Sequence, residues 1–117
     1  MEGMKNLDIR AYRETIKAAV AAEREADPNW SWSIRSLTKG IVRIGWGYLD
    51  YIGEKDCFTV EVLQDEENGD VTVYGTNPNG NHAYRFIGPM HWHDCPTIEE
   101  GIASAIHGMA SSAHRTY

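Results

Sequence analysis

WSWSIRSLTKGIVRIGWGY, residues 30–48, decides the fold. Trp30, Trp32 and Ile34 alternate with Ser31, Ser33 and Arg35, the two-residue period of a half-buried strand. SLTKG turns the chain, and Val42, Ile44, Trp46 and Tyr48 then alternate again. Gly45 and Gly47 lie between them on the other face, which suits a bend or a close neighbour. Two alternating runs joined by a short turn make an antiparallel pair.

The same period continues downstream. Gly53-Glu54-Lys55-Asp56 makes the next turn, and Phe58, Val60 and Val62 mark a third strand. Asn68-Gly69 is a hairpin signal ahead of Val71 and Val73 on a fourth strand. NPNGN at 77–81 turns the chain again, and His82 to Ile87 supplies a fifth strand.

Helices bracket these strands. Asp8 stands where it caps the first, with Leu7 and Tyr12 placed as a hydrophobic staple. Ile9, Tyr12, Ile16 and Val20 recur at spacings of three and four, and Asp27-Pro28 ends the helix. At the other end Thr97 and Glu100 match a capping box. Ile98, Ile102, Ile106, Met109 and Ala113 share a face, and the small residues Gly101, Ala103, Ala105, Gly108 and Ala110 keep that helix slim. The order is α-β-β-β-β-β-α. This is an α+β fold, an antiparallel sheet of four to five strands with two terminal helices over one face, in a single domain spanning residues 1–117.

Composition narrows the function classes. The chain has 117 residues, and 42% of them are hydrophobic, the content of an ordinary globular protein. Its formal charge of −6 is unlike the basic balance of a general nucleic-acid binder. Two cysteines are too few for a disulfide scaffold, and neither a signal core nor a membrane-length apolar run occurs. Those features predict a cytoplasmic protein with reduced thiols.

PMHWHDCPTIEEGI, residues 89–102, carries the densest chemistry. His91, His93 and Cys95 are two residues apart, so an extended chain projects them to one side, and imidazole and thiolate are zinc ligands. Pro89 and Pro96 work against regular strand geometry there, and no second ligand pair follows; His82 and Cys57 are the remaining contributors. Cys95 with His91 or His93 is also a candidate nucleophile and base, without an orienting third group. The plainer reading is a loop that shields and caps the last helix, with no metal and no cofactor. His107 and His114 are seven residues apart on that helix, too far for one ion, and read as solvated. No P-loop, GxGxxG or HExxH pattern occurs.

The tryptophans read as core, and as an aromatic anchor set if exposed. Charge is more directional. Residues 28–47 hold three bases (Arg35, Lys39, Arg43) and no acid. Residues 48–70 hold eight acids, among them Asp50, Glu54, Asp56, Asp65, Glu66, Glu67 and Asp70, against the single base Lys55. The expectation is one anionic surface, with Trp30 and Trp32 as further contacts, that competes for a basic groove.

In size, acidity and organisation the whole chain resembles the small inhibitors that phages and mobile elements direct at host nucleases, notably anti-CRISPR proteins, and the immunity proteins of nuclease toxins. That resemblance implies a non-enzymatic, protein-binding inhibitor in a bacterial host's cytoplasm. Its partner would be a basic, nucleic-acid-binding protein or complex such as a CRISPR effector, with no direct nucleic-acid or membrane contact. No functional residue is carried over from it. The alternative is a small zinc- or thiol-dependent enzyme using His91, His93 and Cys95.

Overall fold

A computed structural model describes residues 4–48, 56–67, 69–76, 83–88 and 97–116, with the backbone alone at Met4, Tyr48, Asp56, 83–88 and 112–116. The elements run β1 (Met4–Asn6), a 3₁₀ turn (Ile9–Tyr12), α1 (Arg13–Ala26), β2 (Trp30–Leu37), β3 (Val42–Tyr48), β4 (Asp56–Asp65), β5 (Val71–Thr76), β6 (Ala83–Gly88) and α2 (Ile98–Thr116). The expected order is present, with one short strand added at the front.

Local chemistry explains the boundaries. The Asp8 carboxylate accepts from the Arg10 amide and so caps the 3₁₀ turn, which the Ile9 N–H ties to the Lys39 carbonyl at 3.0 Å. The α-helix proper therefore starts one turn later than the staple pattern suggests, a common use of 3₁₀ geometry at helix starts. α1 ends at Ala26, and Asp27 before Pro28 is extended (φ −142, ψ 88). The Thr97 hydroxyl accepts from the Glu100 amide at 3.1 Å, the N-cap that opens α2.

The main sheet has the order β2-β3-β4-β5-β6, every neighbour antiparallel. Its register aligns Ile34, Ile44 and Phe58 across three strands, and Val42, Val60 and Gly75 across the next three. β1 pairs with Leu63–Asp65 and so borders β4 on the edge that β3 occupies further along. Asn6 joins the two, donating to the Gly40 carbonyl and the Glu61 carboxylate, each at 3.3 Å.

Both helices lie on one face, α1 over β2 and α2 over β4, β5 and β6, and they touch each other. Between the layers sit Ile9, Ile16 and Val20, the sheet residues Trp32, Ile44, Trp46, Phe58, Val60, Val62 and Val73, and Ile102, Ile106 and Met109 of α2. Removing each large apolar side chain from water stabilises the fold by about 1.5–3 kcal/mol. Trp30 and Trp32 stack at 5.8 Å between centroids, and Trp46 lies 6.0 Å from Phe58. The sheet's other face carries Ser31, Ser33, Gly45, Gly47, Cys57, Thr59 and Tyr74, as the alternation requires. Gly45 and Gly47 are both buried.

Candidate partner-binding surface

The described acids of residues 48–70 do not lie at one place. Asp56 and Asp65 are the first and last residues of β4. At a strand's rise per residue, roughly 30 Å separates two such ends. Acids adjacent in sequence sit close in space on turns, but a long strand between two turns carries them to opposite ends of the sheet. Asp50 and Glu54 lie outside the described residues, and Asp56 is described by its backbone alone.

Asp65, Glu66, Glu67 and Asp70 stay together, at the tip joining β4 to β5. Val42, the first residue of β3, pairs with Val60, and β4 runs on five residues to Asp65. The tip therefore stands roughly 17 Å beyond the start of β3. At that level Lys5, Gln64, Val71 and Gly88 lie abreast on four strands.

Several hydrogen bonds fix the tip. The Asp65 N–H donates to the Asp70 carbonyl at 2.8 Å, and the Gly69 N–H to the Asp65 carbonyl at 2.9 Å. The Asp65 carboxylate accepts from the Glu67 amide at 2.8 Å, and Gln64 donates to the Gly69 carbonyl at 3.2 Å. Gly69 has φ +78, which a residue without Cβ adopts without strain. Asn68 lies outside the described residues. Glu66 and Glu67 are exposed, while Asp65 and Asp70 are half-buried. The result is a hydrogen-bonded end that carries four carboxylates, with Glu66 and Glu67 turned to solvent.

The aromatic half of the expected surface is corrected. Trp30 and Trp32 are 9% and 2% exposed and belong to the core cluster, so they offer a partner no anchor as they stand. The period-two pattern puts them on the face that the helices cover.

His91, His93 and Cys95 lie outside the described residues, as does His82. Among the described residues no three His, Cys, Asp or Glu side chains are placed to hold a metal ion. Cys57 is half-buried on β4.

A contact that sequence reading missed joins the helices. His107 Nδ1 lies 3.0 Å from the Glu23 carboxylate, beside a cleft of about 270 Å³ that Asp27 and Ser111 also line. The sequence reads this imidazole as solvated; it is 72% exposed, yet it touches a carboxylate only 13% exposed. Glu23 and His107 are 84 positions apart, so no local spacing announces the pair. A carboxylate beside an imidazole orients a base, and without a placed nucleophile it makes no mechanism.

Elsewhere Arg10 chelates Asp8, with contacts of 2.9 and 2.7 Å, and holds its carboxyl down at about 2. Burial pushes the Tyr12 phenol up, and the charge of Glu99 adds to that. Among the described residues no helix is long and apolar enough to cross a membrane.

Comparison with protein-family models, curated proteins and solved structures finds no match.

Proposed function

We propose that the protein is a non-enzymatic inhibitor that docks its acidic β4–β5 tip in the basic groove of a nucleic-acid-binding bacterial effector, of the kind anti-CRISPR proteins block. The observation that carries this reading is the tip itself. Four carboxylates are held on a hydrogen-bonded turn at the end of a projecting part of the sheet. Such an element matches the shape and charge of a groove that otherwise holds a phosphate backbone.

Exposed charges act mainly on association rate, and salt screens them over about 8 Å at physiological ionic strength. Reversing Glu66, Glu67 and Asp70 to lysine should therefore slow association with a purified effector and flatten its salt dependence. The effector's own guide or target nucleic acid should compete with the wild-type protein. Unchanged rate and salt slope in the triple reversal would reduce the tip to a solubility feature.

The zinc or thiol enzyme is decided separately. Protein purified without added metal is expected to hold no stoichiometric zinc and to melt at the same temperature with or without chelator. One equivalent of zinc, lost together with stability, would restore His91, His93 and Cys95 to the first rank.

A further inference from the structure

Among the described residues β2 is the outer strand of the sheet, and α1 lies against it. Between them lies a groove of about 540 Å³, lined by Lys17, Val20, Ala21, Arg24, Ser33 and Ile34. Its floor is apolar and its rim carries two cations. Lys17 and Arg24 are seven residues apart in α1, two turns along one face of the helix. Lys17 is engaged only loosely, 3.8 Å from Glu14, with both side chains well exposed.

The strand's outward hydrogen-bonding row is identified by two contacts. The Trp30 N–H donates to the Asp27 carbonyl, on the side away from β3. The Trp32 carbonyl accepts from Arg24 Nε at 2.7 Å, on the same side. In an antiparallel pair the backbone groups of alternate residues point together, so Ile34 is the next outward position in the row. Its N–H therefore lies on the outward side, beside the groove and just ahead of the register shift between Ile34 and Ser36. The Nε contact also fixes the Arg24 guanidinium at the rim, leaving its terminal N–H donors for an anion.

We infer that this groove takes an extended peptide strand of a partner, one that alternates apolar and acidic residues. The peptide adds to the edge of β2, its main chain meets the Ile34 N–H, and its apolar side chains rest on Ala21 and Ile34. Its carboxylates meet Lys17 and Arg24. Strand addition at a sheet edge beside a helix derives affinity from main-chain bonds and specificity from alternate side chains. The charge of the rim selects acids. The site is distinct from the acidic tip and does not depend on it.

The probe is fluorescein-labelled Val-Glu-Val-Glu-Val, with Val-Lys-Val-Lys-Val as comparator, titrated onto the full chain. Saturable binding of the glutamate peptide alone is expected, with amide shifts confined to residues 17–24 and 30–36. Lys17→Glu should weaken it roughly tenfold or more, the scale of one lost charge-assisted hydrogen bond. Ala21→Glu, at an exposed helix position, should block it while circular dichroism stays unchanged. No saturable binding, equal binding of the lysine peptide, or shifts at another surface would each overturn the proposal. So would broadening of the same amides with protein concentration alone, which would make a second copy of the chain the occupant.

Discussion

Gly75 and Gly69 are both glycines in the β4–β5 region, and they are glycines for different reasons. A Cβ on Gly75 would stand 2.8 Å from Met109 Cγ and 3.0 Å from its sulfur, so α2 seats directly on a bare backbone. Gly75→Ala is expected to destabilise by about 1–3 kcal/mol through overpacking. In urea unfolding, Gly75→Ala combined with Met109→Ala should lose less than the sum of the two, because the second change removes the clash. Additive losses would mean the close approach is unimportant. A Cβ on Gly69 meets nothing within 4 Å, yet its φ of +78 disfavours other residues. Gly69→Ala should cost about 1–2 kcal/mol from backbone strain alone, with no packing partner able to rescue it.

Among the described residues Asp8 has its ionisation most clearly displaced. Its folded pKa of about 2 lies below the unfolded value of about 3.9, so the acid form is disfavoured by folding. The stability it contributes is therefore complete above about pH 4 and is lost as pH falls through 2. Because the pair with Arg10 is exposed, that contribution is small. The stability difference between wild type and Asp8→Asn should shrink between pH 4 and pH 2; a difference constant across that range would contradict the assignment.

At the scale of elements, the caps and periods carried most of the information. Thr97 and Glu100 announced the start of α2. Thr97→Ala should cost about 1 kcal/mol, read as a lower melting temperature with unchanged helix content in the native state. An unaffected melting temperature would mean that the hydroxyl contact is idle. The alternation of Trp30, Trp32 and Ile34 against Ile44 and Trp46 fixed both strands and the face they bury. β1 was not legible: Met4-Lys5-Asn6 is too short for a period, and only its pairing with β4, far along the chain, makes it a strand. The bulge between Ile34 and Ser36 was hidden for the same reason, since it is a property of two strands together. It puts the exposed Arg35 on an outer strand, and with Arg24 on the Trp32 carbonyl it discourages indiscriminate edge pairing.

At the scale of the whole molecule, the candidate site was half legible. That residues 48–70 are acidic was plain, and that Asp56 and the Asp65–Asp70 tip lie at opposite ends of a strand was not, because composition carries no distances. The long strand β4 separates them. The same strand, central in the sheet, is bordered by β5 on one side and by β3 and β1 in succession on the other. That arrangement sets a schedule for the chain as it is made. Asn6 pairs with Leu63, 57 positions later, so β1 has no sheet partner until that much more chain has appeared. At the usual pace of about 5–20 residues per second, the wait is roughly 3–11 seconds. The apolar stripe of α1 waits longer still for α2, the helix it touches, which begins only at Ile98. Chains stalled on the ribosome before β4 emerges should remain sensitive to protease at residues 4–12, and chains stalled after α2 emerges should be protected there.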